Sequence, residues 1–287
     1  MKRIAPFHAL TLFFLCCLIL LVLFFRGRIP QWHELIFRYL LWIGLVSAIK
    51  LSYDRRTTGK LREFVHTFSP ILFIVLIYES LGDMTHHLWP DVDPALIQID
   101  LFLFGVHPTL WMQRWIVPWF TDLMSLAYLS YYFLPVTLVS VLYLKERPGL
   151  YPALFVLTLG YYISFIGYIL FPAVGPRYAM DQLYAVPLEG SFITDFVRDG
   201  LNAIEHNKRD VMPSGHTQIA LMVVYLAYRY EKALFYVFLP VVSGLVLSTV
   251  YLRYHYVIDL VVGAALAIVC VVVGPLFYKC WRVENGK

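Results

Sequence analysis

Charge is the first thing this sequence has little of. Only 15% of its 287 residues are Asp, Glu, Lys or Arg, against roughly a quarter in an average soluble domain. Disorder needs low hydrophobicity and high charge, and a hydrophobic content of 60% excludes it. Cysteine is sparse as well. Cys16, Cys17 and Cys270 lie inside apolar runs and Cys280 ends the last one, so no disulfide framework is encoded. There is no internal repeat, no low-complexity linker, no Walker phosphate loop and no metal-cage spacing. The net charge of +4 gives no basis for a nucleic-acid partner.

What the sequence has instead is long apolar blocks. A helix needs about 20 mostly apolar residues to cross a bilayer. Charge-free stretches run over 4–25, 123–144, 148–176, 211–228, 233–252 and 260–278. Two weaker blocks complete the set. The block 35–52 carries Arg38 near one end, where a long side chain can snorkel. The block 64–80 has a charge-free core of 64–78. The reading is eight spans in an all-α, polytopic membrane helix bundle. The first block follows Lys2-Arg3 and is followed by Arg26-Gly27-Arg28, not by a small-residue cleavage site, so it reads as a retained anchor.

Basic residues mark the cytoplasmic side of a membrane protein. With eight spans and both termini on one side, the terminal side holds 14 of the 23 Lys and Arg residues, and only 5 of the 19 acids. Both termini are therefore expected in the cytoplasm. Two segments then face the other way. In 81–122, the run 95–119 mixes Ile, Leu, Phe and Trp with Pro108 and Pro118, and reads as helices lying in the interface. The segment 171–212 is the most polar of the chain. Within it Phe192, Phe196, Leu201 and Ile204 fit one helical face, with Ser191 as a cap.

Three clusters fall on that same expected side, each at a span end: Gly175-Pro176-Arg177-Tyr178, Pro213-Ser214-Gly215-His216-Thr217 and Arg253-Tyr254-His255-Tyr256-Val257-Ile258-Asp259. His255 and Asp259 are four apart and share a helix face. A carboxylate there can orient the imidazole and leave its other nitrogen as nucleophile or base. Pro213 marks a helix start, whose first-turn N–H groups and dipole form an anion site at Ser214 and Gly215. His216 can supply a proton to a leaving group. Arg177 and Arg253 can hold phosphate oxygens in a bidentate fork. Each cluster alone also reads as an ordinary helix start, turn or buried hydrogen-bonded pair. Their conjunction on one side favours a site for phosphoryl transfer. Asp83, His86 and His87 have a spacing that a metal site and a plain outer loop share.

These residues resemble the type 2 phosphatidic acid phosphatase superfamily. Pro213–His216 matches its Pro-Ser-Gly-His motif. Ser248, His255 and Asp259 match its Ser-Arg-x5-His-x3-Asp motif, with Thr249 at the Arg position. Aligning Arg177 with the first motif places Leu170 at its Lys and Tyr178 at its Pro. Ser214-Gly215-His216-Thr217 and Arg253-x-His255-Tyr256-x-Ile258-Asp259 are similar to the sphingomyelin synthases. Asp100-x-x-Leu103-Phe104-Gly105 with Pro108, and Phe171-Pro172 before Gly175-Pro176, resemble the inositol phosphorylceramide synthase-like branch.

The resemblance spans residues 100 to about 263. It implies a six-helix lipid-phosphatase-type core within residues 81–287, preceded by amino-terminal membrane helices in 1–80. It implies a metal-free, cofactor-free phosphohistidine mechanism on a lipid phosphate. His255 would attack phosphorus, Asp259 position it and His216 protonate the departing alcohol. Arg177, Arg253, Ser214 and Gly215 would hold the phosphate. Release to water would make the chain a phosphatase, and release to another alcohol a head-group transferase of the inositol phosphorylceramide synthase type. A proton-coupled transporter using Asp259 and the histidines is the rival of another class; relay groups belong near the midplane, whereas these clusters sit at span ends.

Overall fold

The computed structural model describes residues 4–54, 59–204 and 206–284, without side chains at 54, 204 and 282–284. Lys2, Arg3, Arg55, Arg56 and Lys287, counted in the charge asymmetry, lie outside the described residues, as does the side chain of Arg282. All regular structure among the described residues is helical. In chain order the helices are α1 (Pro6–Phe24), α2 (Trp32–Asp54), α3 (Lys60–Gly82), α4 (Thr85–Leu88), α5 (Asp93–Phe104), α6 (Pro108–Trp111), α7 (Pro118–Leu129) and α8 (Leu134–Leu144). There follow α9 (Leu150–Leu170), α10 (Pro176–Ala179), α11 (Thr194–Ile204), α12 (Gly215–Tyr230), α13 (Lys232–Tyr251) and α14 (Val257–Glu284).

Among the described residues six helices are long and apolar enough to cross a membrane: α1, α2, α3, α9, α13 and α14, with α3 read on through α4. The number rises to eight if each of two bent pairs is one span, α5 with α6 (65°) and α7 with α8 (47°). The chain is a multi-pass membrane protein.

The eight spans read from sequence differ from these at defined places. The block 123–144 is not one straight helix. It breaks after a single 3-10 turn at Ser130–Tyr132, and Pro135, which has no N–H to give the preceding turn, sits in the first turn of α8. The block 211–228 yields a helix only from Gly215, because Ser214 is its N-cap, and 16 residues fall short of a full crossing. The block 148–176 is helical to Leu170 only, which leaves Gly175 in an irregular turn.

Helix α12 is the axis of the core. Ile219, Met222, Val223 and Leu226 are buried against Leu138 and Leu142 of α8, Leu154 and Leu157 of α9, Leu245 of α13 and Ala267 of α14. The buried amide of Gln218 ties three helices: it donates to the Gly160 carbonyl at 3.0 Å and to Cys270 Sγ at 3.6 Å, and accepts from Ser164 Oγ at 2.9 Å. Between membrane helices such bonds matter because apolar burial against lipid gives little drive to associate. The amino-terminal helices pack on α9 by the same means. Thr11 and Tyr162 hydroxyls meet at 2.8 Å, and Phe14 stacks on the Tyr162 ring at 4.5 Å.

Candidate active site

The site forms where the ends of α5, α7, α9, α12, α13 and α14 meet, and acidic tethers put it there. Asp93 accepts from the backbone N–H groups of Val174 (2.9 Å) and Gly175 (2.8 Å) and from the Tyr256 hydroxyl (2.8 Å). One carboxylate thus joins the turn before Arg177 to the residue after His255. Gly175 has φ +85° in that turn, a conformation that glycine adopts without strain. Asp100 caps α14 from outside, accepting from the N–H groups of Val257 (2.8 Å) and Ile258 (2.9 Å). Ser214 caps α12 through Thr217 N–H (3.2 Å), while its own N–H donates to the Asp259 carbonyl (3.1 Å). The two histidine-bearing segments are therefore pinned to each other.

His255 and His216 face one another, with His255 Nε2 3.3 Å from His216 Nδ1. The other ring nitrogen of His255 lies 3.0 Å from the Val211 carbonyl. A carbonyl only accepts, so Nδ1 carries the proton and Nε2 is the bare nitrogen. By the same logic His216 Nδ1 donates to it. The sequence reading gave the orienting role to Asp259. Its Oδ2 lies 3.6 Å from His255 Nδ1 and accepts from Tyr256 N–H at 2.9 Å. The hydrogen bond that sets the ring is thus made by a backbone carbonyl, with the carboxylate behind it. Burial holds the His255 imidazole below its ordinary value, down to about 4, against the upward pull of Asp210 and the Val211 carbonyl. Tyr128 and Tyr131 hold the His216 ring, at centroid distances of 4.6 and 4.2 Å.

A small cleft of about 30 Å3 adjoins the histidines, bounded by Arg177, Lys208, Asn207, Asp210, Tyr178 and Tyr254 among others. Arg177 is oriented by a bond from its guanidinium to Tyr254 Oη (3.2 Å) and by its backbone N–H on the Arg253 carbonyl (2.8 Å). The structure does not bring Arg253 to the cleft lining. Its guanidinium lies 3.8 Å over the Tyr184 ring and donates to the Val186 carbonyl. Ser214 and Gly215 are buried at the helix start behind His216 and do not line the cleft either.

Lys208 and Asp210 sit in a polar loop without motif spacing, so the sequence does not single them out as site residues. Burial raises the Asp210 carboxyl above its usual range, against the Tyr78 hydroxyl that donates to it at 2.7 Å. Asp83, His86 and His87 lie in a separate polar bowl. Among the described residues no three His, Cys, Asp or Glu side chains converge as a metal-ligand set.

The segment 190–204 also departs from the sequence reading. Asp122, about 70 residues away, receives the N–H groups of Ser191, Phe192, Ile193 and Thr194 at 2.9–3.1 Å, so it and not Ser191 caps α11. Val197 and Leu201 are the buried face, while Phe192 and Phe196 are exposed. The Ile204 side chain lies outside the described residues.

The family model of the PAP2 superfamily matches residues 94–273, more than half of the chain. The chain belongs to the PAP2 superfamily. A PA-phosphatase related-family protein of Dictyostelium discoideum is 30% identical over 122 residues, which cover 41% of this chain and 22% of that protein. The chain thus spans about a fifth of that relative's length. No solved structure matches. The matched residues begin inside α5 and end inside α14, so this PAP2 chain carries α1 to α4 in addition to the part that defines the family.

Proposed function

We propose that this PAP2 chain is a lipid phosphatase or phosphotransferase that works through a phosphohistidine on His255. The observation that carries the reading is the facing histidine pair, with the bare Nε2 of His255 turned to the proton-bearing nitrogen of His216 across 3.3 Å. Phosphate entering from the adjoining cleft would replace the bond between the two rings. Arg177 and Lys208 at the lining supply the positive charge that a phosphoryl group needs as it transfers. Nε2 attacks phosphorus, the ester bond to the lipid oxygen breaks, and His216, acting in its doubly protonated form, gives that oxygen one proton and is left neutral. Water or an alcohol then attacks phosphorus, releases His255 and returns the proton. The scheme calls on no metal and no cofactor.

A second cavity supports a lipid substrate. It is an apolar slot of about 190 Å3, reaching from Ile74 and Val75 of α3 past Val139 and Leu157 to His216 and Asp210. Hydrocarbon buried there is stabilised by about 25 cal/mol per Å2, with the phosphate left at the polar end. The charge asymmetry favours both termini in the cytoplasm and the site on the opposite face.

The test is an alkaline quench of purified enzyme mixed with a 32P-labelled lipid phosphate. Wild type is expected to retain label on protein, and His255→Ala to retain none and to turn over at the background rate. A folded His255→Ala with near-normal turnover overturns the assignment.

A further inference from the structure

Residues 207–211 form one wall of the cleft beside the histidines, and all of them but Arg209 are on its lining. The wall is held at three points. The Val211 carbonyl accepts from His255 Nδ1 at 3.0 Å. Asp210 accepts from the Tyr78 hydroxyl of α3 at 2.7 Å. Arg209 is forked onto Asp91, with Nε and Nη2 donating at 2.6 and 3.0 Å. Tyr78 and Asp91 both precede the family-matched residues. The amino-terminal part of the chain therefore grips this wall from behind.

Asn207 is the singular residue of the wall. It is 1% exposed, and its Oδ1 accepts from the Arg209 backbone N–H at 3.0 Å. A backbone N–H only donates, so the amide oxygen faces Arg209 and Nδ2 is the end left over. That nitrogen is buried and has no partner among the described residues. Buried amide donors are nearly always bonded, so an orphan on a cleft wall points to a ligand oxygen. Two cations share the lining. Lys208 makes no ion pair among the described residues, and Arg177 is bonded to the neutral Tyr254 hydroxyl, so both charges face a ligand uncompensated. The carboxylate on the lining is Asp210, which burial raises above its usual range, and that lessens the negative charge beside a phosphate.

A transferring phosphoryl group spreads its charge over three equatorial oxygens, and Arg177 and Lys208 answer for two of them. We propose that Asn207 is a further phosphate ligand, its Nδ2 donating to the third oxygen, and that the Asp91–Arg209 pair is the brace that positions it. This rests on the cleft being where the phosphoryl group transfers. An amide suits the third place because it brings a donor without a third buried positive charge, which would be costly to desolvate. Asn207 stays neutral throughout and passes no proton. Its oxygen is already committed to Arg209, so the donor end is oriented before a ligand arrives. Asn207 and Lys208 also border the polar bowl, so the probe has to be one that reads the phosphate alone.

The experiment titrates the purified full chain in lipid vesicles with inorganic phosphate and reads its dissociation constant by 31P NMR. Inorganic phosphate has neither head group nor acyl chain, so only the clamp contributes. Asn207→Ala is expected to raise the constant about tenfold or more, the worth of a hydrogen bond to a charged group. Asn207→Asp keeps the shape and still accepts from the Arg209 N–H, but sets a carboxylate where the donor was, and should raise the constant further. Asp91→Ala should raise it about twofold or more, the lower end of coupling within one network, and should add nothing in the Asn207→Ala background. A purely structural Asp91 would add its full loss there, which overturns the brace. A wild type that binds no phosphate, or a folded Asn207→Asp that binds it within twofold of wild type, overturns the ligand role. The nucleophile reading fails separately, on turnover by folded His255→Ala, which this titration does not involve, so the two failures are distinguishable.

Discussion

The hydrogen bond between His255 and His216 sets which nitrogen of each ring carries the proton. Because Val211 can only accept, His255 turns a bare nitrogen toward His216 beside the cleft. General acid catalysis matters most when the leaving alcohol is a poor leaving group. His216→Ala is therefore expected to lose about a hundredfold or more on a lipid phosphate, and far less on an aryl phosphate. His255→Ala should lose both equally. Paired kinetics on the two substrates check this, and equal losses for His216→Ala would make that ring a phosphate ligand.

The burial of His255 predicts a pH profile. An imidazole attacks only when unprotonated, and a pKa lowered to about 4 keeps it unprotonated well below its ordinary value. Since kcat/KM reports the free enzyme, its acid limb is expected toward pH 4 once the ionisation of the phosphate itself is allowed for. Asp210 pulls that pKa upward, so Asp210→Asn should move the limb to still lower pH. An acid limb at 6.5 in the wild type would contradict the buried geometry.

At the scale of the element, long-range carboxylates do the work that local caps do in soluble helices. The first four N–H groups of a helix lack intrahelical partners. Asp100 satisfies two of them on α14 from more than 150 residues away, and Asp122 plays the same part for α11. Asp100→Ala leaves two N–H groups with no partner beside the His255 loop, at about 1–3 kcal/mol for each one that stays buried. A thermal midpoint lowered by several degrees, with kcat reduced as well, is the expected result. An unchanged midpoint would show that water replaces the carboxylate.

At the scale of the whole molecule, the charge asymmetry predicts an orientation and packing decides where the cavities lie. Asp195 is exposed in the polar segment that this orientation places outside. A cysteine placed there, in a background with the native cysteines removed, is expected to react with an impermeant thiol reagent added from the non-cytoplasmic side only. Labelling from the cytoplasmic side alone would invert the topology. On the face that the positive-inside rule assigns to the cytoplasm, Glu231 bridges Lys145 and Arg147 at 2.9–3.0 Å and joins the α8–α9 and α12–α13 turns. The bonds from Lys145 and Arg147 hold its carboxyl below the ordinary range. Its contribution to stability is therefore present above the unfolded value and lost as pH falls through the folded one. Glu231→Gln should lower the melting temperature at neutral pH and flatten the acid side of the stability profile, which a thermal melt series checks.

The membrane-bundle class was legible in the sequence because the bilayer constrains length and polarity of every crossing segment. The facing clusters were legible because Pro-Ser-Gly-His and the i, i+4 pair of His255 and Asp259 are local patterns. Helix ends were less so: the break at Ser130–Tyr132 and the start of α12 at Gly215 depend on Pro135 and Ser214 competing locally with an apolar run. The partners of the site were not legible at all. Asp93, Asp100 and Asp122 act on residues 70 to 160 positions away. Arg253 looked like a phosphate ligand by its place beside His255, yet stacks on Tyr184 instead. Sequence alone determined that the chain lies in a membrane and singled out the clusters around His216 and His255, because hydropathy and local spacing are written along the chain. Only the tertiary structure decided which nitrogen of His255 is bare, which arginine meets the cleft and how slot, cleft and bowl adjoin, because those depend on contacts between helices far apart in sequence.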